Sequence, residues 1–301
     1  MKFEQDLIKL LTDKKLSNSS IITYIKILRK LNNNKPLQNI IFLKDSNKII
    51  EEIKHYKTTT QRNILITIVS ALKVLQKPTE YKKYYDLMIN KTKEINSLPK
   101  NEKTETQAKN WMEWTDILTI YNNLKSKLKF SKIISEDQFI NLFNYFILSL
   151  YVLIPPRRNK DYLLMKITNN DTSNINYNYL DLKKKQFIFN VFKTSKKDGQ
   201  LIINIPEDLF IIIKLYIKYH QLKHLLKKEN ISLLVKYNGE SYKLENSITR
   251  ILNKIFNKKI GASMIRHIYL SSKYKNIIKE QEQDSKNMSH NLLTQKDYIK
   301  I

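Results

Sequence analysis

The chain opens with apolar residues at helical spacing. Phe3, Leu7, Leu10 and Leu11 fall on one face of a 3.6-residue repeat. In "LSNSSIITYIKILRKL", Ile21, Tyr24, Ile25, Leu28 and Leu31 do the same behind Ser17, whose hydroxyl suits an N-cap. "TTTQRNILITIVSALKVL" predicts a third helix, with Thr59 or Thr60 as its cap and Ile64, Ile68, Ala71, Leu72 and Leu75 as its stripe. Hydroxyls and Arg62 cluster at that helix start, where free backbone N–H groups favour a phosphate; capping accounts for the hydroxyls equally well. From Asn96 to Gln107 the pattern lapses, because "NSLPKNEKTETQ" has no apolar period, one proline and dense charge. The pattern predicts a helical domain over 1–95, a linker over 96–107 and a second domain over 108–301.

Helical periodicity resumes in "NWMEWTDILTIYNNL" and in "FINLFNYFILSLYVL", the most apolar segment and the expected centre of the second core. It stops at Pro155-Pro156, since proline disfavours helix at the residue before it. The period then changes. "YNYLDL", "QFIFNVF" and "QLIINI" are short runs rich in β-branched and aromatic residues, and Asp198-Gly199 between the last two is a hairpin signal. Helices return with "EDLFIIIKLYIKYHQLKHLLK". The expected fold is mainly α with a small antiparallel β-sheet.

Composition narrows the picture. Of 301 residues 42% are hydrophobic, enough for a buried core, and only 3 are Gly, which argues against Gly-rich β architectures. The absence of cysteine excludes disulfides, thiolate zinc sites and cysteine nucleophiles, and fits a reducing compartment. No apolar run reaches the ~18 residues of a membrane span, and "MKFEQDLIKL" carries acidic residues where a secretory signal has its apolar core. The expectation is an intracellular protein without membrane association, in cytoplasm or host nucleus alike. The net charge of +26 points to a nucleic-acid partner, because many phosphates can be neutralised with release of their counterions. An AT-rich coding sequence, which overproduces Lys, Asn and Ile, also raises that number.

Four basic or polar stations follow one another in the second domain: Arg157-Arg158 after the prolines, Lys193 beyond the middle strand run, "SMIRH" at 263–267, and His290 followed by Tyr298. In that order and context they resemble the catalytic set of the tyrosine recombinase (integrase) superfamily. "RNKDYLLMKI" matches its first motif with Arg158 and Asp161, and "FKTSKKDGQLIINIP" resembles its K-T hairpin with Lys193 at the lysine position. "SMIRH" puts Arg266 at the second arginine and His267 at the His that often follows it; "MSH" puts His290 at the late His, and Tyr298 falls at the nucleophile. "LSNSSIITYIKIL" resembles the opening of the family's helical core-binding domain, so the likeness spans nearly the whole chain. The sequence departs from the pattern at three places. Ser263 stands where H-x-x-R has its His, Pro155-Pro156 replaces T-G and leaves Arg157 and Arg158 as alternatives, and the His-to-Tyr interval of eight is one short of the commonest.

The resemblance implies an N-terminal core-binding domain, a mixed α/β catalytic domain, and cleavage and rejoining of double-stranded DNA through a 3′-phosphotyrosyl link. Arg158 and Arg266 would stabilise the phosphate, with Arg157, Asp161, Ser263 and His267 in support. Lys193 would protonate the departing 5′ oxygen, with Lys196 and Lys197 as substitutes and further DNA contacts beside Arg62. His290 would bond a non-bridging oxygen, and a homo-tetramer would assemble on paired sites. No metal or organic cofactor is implied. A type IB-like topoisomerase uses nearly the same residues, and a DNA-binding protein with decayed chemistry is a further alternative. Outside this set, His220 and His224 lie i, i+4 on one helix face as half a metal site would require, but no further ligand lies near, and an ordinary helix surface is the better reading. The acidic "KEQEQDSK" at 279–286 reads as a solvated loop before the last helix.

Overall fold

The computed structural model describes residues 2–98, 102–129, 131–169 and 171–298. The chain divides into two compact units, Met1–Glu102 and Lys103–Ile301. The first is built from α1 (Lys2–Asp13), α2 (Asn18–Leu31), α3 (Ser46–Ile53), α4 (Thr58–Val74) and α5 (Pro78–Ser97). Its core gathers the predicted stripes, with Leu7 and Leu11 of α1, Leu28 of α2 and Ile68, Ala71 and Leu72 of α4 fully buried. Ser17 caps α2 by accepting from the Ser20 N–H at 3.2 Å. Buried Glu4 accepts from the Arg29 guanidinium and from the Leu37 N–H at 3.1 Å, which ties α1, α2 and the following loop together. Arg29 above all holds the Glu4 carboxyl below its ordinary value, against the effect of burial.

α4 starts earlier than its hydroxyls suggest. Its N-cap is Lys57, without a side-chain cap, and the hydroxyl of Thr58 turns instead to Glu94 of α5 at 3.1 Å. Arg62 likewise donates through Nε to Thr92 Oγ1 at 3.0 Å. α5 runs on to Ser97, and the next helix opens with a capping box between Thr104 and Gln107, so ordered structure enters the charged stretch from both sides. Residues 99–101 within it lie outside the described residues.

The second unit holds α6 (Glu105–Asn110), α7 (Trp114–Ser126), α8 (Glu136–Val152), α9 (Asn159–Leu163), β1 (Lys166–Thr168), β2 (Tyr179–Asp181), β3 (Gln186–Phe189), α10 (Ser195–Asp198), β4 (Leu201–Asn204), α11 (Glu207–Lys218), β5 (Ile231–Ser232), α12 (Ser247–Phe256), α13 (Ala262–Asn287) and α14 (Leu292–Tyr298). α8 is the hub, packed on α7, α11 and α12, and ten of its residues are buried. Phe146 of α8 stacks on Tyr216 of α11, with centroids 4.2 Å apart and planes 6° from parallel, and the Tyr216 hydroxyl donates to the Leu233 carbonyl at 3.0 Å. The fold is mainly α with one small sheet of order β4-β3-β2-β1-β5. That sheet is mixed rather than antiparallel throughout, because the connection 169–178 returns the chain to the same end and sets β2 parallel to β1.

Two short segments differ from their sequence reading. His220 lies beyond the end of α11 and His224 lies in a separate 3-10 turn, so they share no helix face. His220 is a buried neutral histidine whose Nε2 faces the Ser232 carbonyl at 3.0 Å while Nδ1 accepts from the Leu222 N–H at 3.1 Å. The acidic stretch 279–286 is the C-terminal part of α13, exposed apart from Ser285 and the half-buried Glu282, not a loop. Among the described residues, no helix is long and apolar enough to cross a membrane.

Two predictions follow from this core. Phe146→Ala removes a fully buried ring and is expected to cost about 3–5 kcal/mol. Tyr216→Phe keeps the stack but orphans a carbonyl, for about 1–2 kcal/mol. Urea unfolding that ranked the two in the opposite order would remove the stack from the centre of the unit. Burial, the largest cause, lowers His220 from its ordinary 6.5 to about 4. Its contribution to stability is therefore complete above the unfolded value, is lost as pH falls from 6.5 and levels off near 4. His220→Gln should flatten this part of the stability–pH curve relative to the parent; an unchanged slope would contradict the neutral burial.

Candidate active site

The prolines end α8 and deliver two arginines with different fates. Arg157 is committed: its Nε donates to Asp161 Oδ2 at 2.9 Å, a terminal nitrogen completes the ion pair at the same distance, and its guanidinium lies over the Phe189 ring, 3.8 Å from the centroid. Asp161 is almost wholly buried, and its Oδ1 has no hydrogen-bond partner among the described residues. Burial pushes the Asp161 carboxyl above its ordinary value, against the pull of the Arg157 and Arg158 charges. Arg158 is the extended N-cap of α9, with φ −75° and ψ 147°. Its half-buried guanidinium has no hydrogen-bond partner among the described residues. Of the two candidates, Arg158 has the guanidinium available to a phosphate.

Two polar clamps mount the neighbouring elements on α9. The buried Asn178 amide donates to the Asp161 carbonyl at 2.8 Å and the Val191 carbonyl at 2.9 Å, while its oxygen accepts from the Asn190 and Val191 N–H groups at 2.8 and 2.7 Å. The loop that leads to Lys193 is thereby fixed to the helix that Arg158 caps. On the other side, Asn159 accepts from the Tyr151 hydroxyl and donates to Thr249 Oγ1 of α12, both at 2.8 Å. Thr249 in turn crowds Gly261, where an added Cβ would come within 3.2 Å of the threonine methyl. Gly261 is the N-cap of α13, the helix that bears Ser263, Arg266 and His267. The starts of the two arginine-bearing helices are thus joined through Thr249. Asn159, Asn178 and Thr249 carried no periodic or motif signal; only the polar Asn178 inside an aromatic-rich run marked an unusual position.

Lys193 is exposed in a turn after β3, and Lys196 and Lys197 are exposed on α10. Asp198-Gly199 is not a two-residue hairpin turn. β3 and β4 do pair antiparallel, but α10 lies between them and Gly199, at φ 72°, is its C-cap. A two-residue turn of the Asp-Gly type needs positive φ at both positions, and only the glycine has it.

α13 starts in the core and leaves it. Ile265 and Ile268 are buried, and Tyr269 packs edge-on to Trp114 of α7 at 5.3 Å. Arg266 is half-buried with no hydrogen-bond partner for its guanidinium among the described residues, whereas Ser263 and His267 are exposed. From Leu270 to Asp284 nearly every residue is exposed. At its far end the chain turns back: the His290 N–H donates to the Ser285 carbonyl at 3.0 Å, and the Ser285 hydroxyl donates to Gln295 of α14 at 2.8 Å. This turn sets the His290 and Tyr298 rings 5.6 Å apart. Among the described residues the buried His290 Nε2 has no hydrogen-bond partner, and Tyr298 is 68% exposed.

The sequence-predicted residues therefore form two groups. Arg158, Lys193 and Arg266 belong to elements linked around α9, and His290 and Tyr298 form a pair at the distal end of α13. The separation follows from helix geometry. From Arg266 to Ser285 along one unbroken helix is roughly 28 Å at 1.5 Å per residue. The hydrogen bond from Ser285 keeps α14 at the distal end. Among the described residues, no three His, Asp or Glu side chains gather as a metal site would require.

The clamp makes a specific prediction. Asn178→Ala leaves two carbonyls and two N–H groups unpaired and is expected to cost ~2 kcal/mol or more. Amide exchange at Asn190 and Val191 should rise sharply while that in α8 changes little; uniform loss of protection would indicate a general core defect instead.

No protein-family model matches the chain, and no curated protein matches it. Among solved structures it is similar to the crystal structure of XerA recombinase, at 14% sequence identity and a TM-score of 0.38, over 91% of this chain and 84% of that one.

Proposed function

We propose that the chain is a DNA strand-transfer enzyme of the tyrosine recombinase type. The observation that carries this reading is the linkage of residues far apart in sequence. Asn178 and the Asn159–Thr249–Gly261 contacts bring together the mounts of Arg158, Lys193 and Arg266, the three cations of the motif resemblance. The guanidiniums at 158 and 266, without hydrogen-bond partners among the described residues, suit a phosphodiester, since their planar forks stabilise the charge that gathers on the non-bridging oxygens. The first turn of α13 has no side-chain cap, so its backbone N–H groups add to the same field. The net charge of +26 supports duplex DNA as the partner.

In the proposed reaction the Tyr298 oxygen attacks the phosphorus as its proton passes to the adjacent His290. The bond from phosphorus to the 5′ oxygen breaks, and Lys193 supplies the proton that makes this oxygen a hydroxyl. The resulting 3′-phosphotyrosyl ester retains the bond for rejoining to another strand. Asp161 and Arg157 act as a positioning pair that holds the start of α9.

A nicked duplex that traps the covalent intermediate tests this reading. The parent chain should form the adduct, and Tyr298→Phe should fold and bind DNA but form none. Arg158→Ala should lower adduct formation ~10²-fold or more with little change in stability. Arg157→Ala should lower stability by about 3 kcal/mol, because it strands buried Asp161. Adduct formation by Tyr298→Phe, or a parent chain that forms no adduct at all, would overturn the proposal.

A further inference from the structure

We infer that Asn110 is a positioning residue for Arg266: it holds the turn from which α13 starts, and through that turn it sets where the Arg266 guanidinium meets a phosphate. This rests on the proposed strand-transfer chemistry and concerns what aims one of its cations.

Asn110 ends α6 and is buried. A buried amide needs a partner for each of its ends. Its Nδ2 donates to the Thr106 carbonyl at 2.9 Å within the same helix, and its Oδ1 accepts from the Lys259 N–H at 3.0 Å, 149 positions along the chain. Lys259 lies in the tight turn between α12 and α13. There Asn257 is left-handed at φ 48°, and the Ile260 N–H closes on the Lys258 carbonyl at 2.8 Å. Beside Asn110, the Trp111 carbonyl accepts from the Lys258 ammonium at 3.3 Å, and the Lys103 ammonium sits 4.0 Å from the centre of the Trp111 ring. A turn further on, Trp114 packs against Tyr269. The stretch 110–114 thus grips the chain before Arg266, at Lys258 and Lys259, and after it, at Tyr269. The two grips differ in kind. Apolar contact is non-directional and tolerates sliding, whereas the bond to Lys259 fixes a backbone atom in distance and angle.

Arg266 has no competing anchor, because its guanidinium has no hydrogen-bond partner among the described residues. Its aim therefore follows from the backbone that carries it. From the Gly261 cap to the guanidinium the lever is roughly 10 Å, the rise along the helix combined with the reach of the side chain, so a tilt of about 6° at the cap moves the charge by about 1 Å. A misplacement of that size costs a reaction up to ~10²-fold.

The rate of adduct formation on the nicked trapping duplex, measured at saturating DNA, tests this. Asn110→Ala should bind the duplex as the parent does and lower that rate ~10-fold or more. Asn110→Asp keeps the oxygen that Lys259 needs and should retain most of the parent rate. Asn110→Ser, whose hydroxyl can still bond the Thr106 carbonyl but falls short of Lys259, repeats the comparison should Asn110→Ala fail to fold. The decisive readout is non-additivity. Added to Arg266→Ala, Asn110→Ala should slow the reaction no further, whereas added to Arg158→Ala it should still cost ~10-fold, because the lost bond acts only through Arg266. Equal losses in both backgrounds would make Asn110 a support of the whole unit and overturn the inference. A parent rate in Asn110→Ala, or a rate for Asn110→Asp no better than for Asn110→Ala, would overturn it too while leaving the proposed chemistry intact. Absence of adduct from the parent would overturn both.

Discussion

The second unit depends on the burial of Asp161 at the start of a helix of only five residues. A carboxylate taken out of water needs a close counter-charge, and Arg157 supplies it from one turn earlier while lying flat on Phe189 of the sheet. The ion pair consumes one of two adjacent arginines and leaves the other at the helix cap. The carbonyl of Asp161 is then held by Asn178, which also holds the backbone at 190 and 191. Around this one buried charge stand a fixed helix, a fixed loop and, at Arg158, a guanidinium with no hydrogen-bond partner among the described residues.

Rigidity at the base and exposure at the tip have the same origin. Where α13 meets α7, Ile265, Ile268 and Tyr269 are packed, and Arg266 is carried on a helix that cannot rotate without disturbing Trp114. From Leu270 to Asp284 the helix is almost wholly exposed, and its apolar residues face water. A group that must hold a phosphate benefits from the first environment, because electrostatic stabilisation is strongest when donors need no reorganisation.

Much of the architecture was legible from the order of apolar residues. Most residues of the stripes of α1, α2, α4 and α8 lie in the cores as their spacing requires, although Leu10 of the α1 stripe is exposed, since burying one face of a helix is what that spacing encodes. The strand runs at 177–182, 186–192 and 200–205 contain β2, β3 and β4. β1 and β5, of three and two residues, were not legible, because strands so short are specified by their neighbours. Thr59 and Thr60 misled for a similar reason. A hydroxyl can cap, but the exact start of α4 follows from where α5 offers Glu94 and Thr92.

By itself the sequence determined the helical class, the break at Pro155-Pro156, the charge and the order of the candidate residues, all of which are local or additive properties of the chain. Only the tertiary structure distinguished Arg157 from Arg158, since the difference turns on which guanidinium meets a buried carboxylate. It likewise decided that Asn178 and Thr249 matter, because a hydrogen bond across 17 or 90 positions leaves no periodic trace. The distance between Arg266 and Tyr298 was hidden for the plainest reason: "IIKEQEQDSK" is polar enough for a loop and regular enough for a helix. A loop would let the chain fold back, whereas the rise of an unbroken helix carries the tyrosine away.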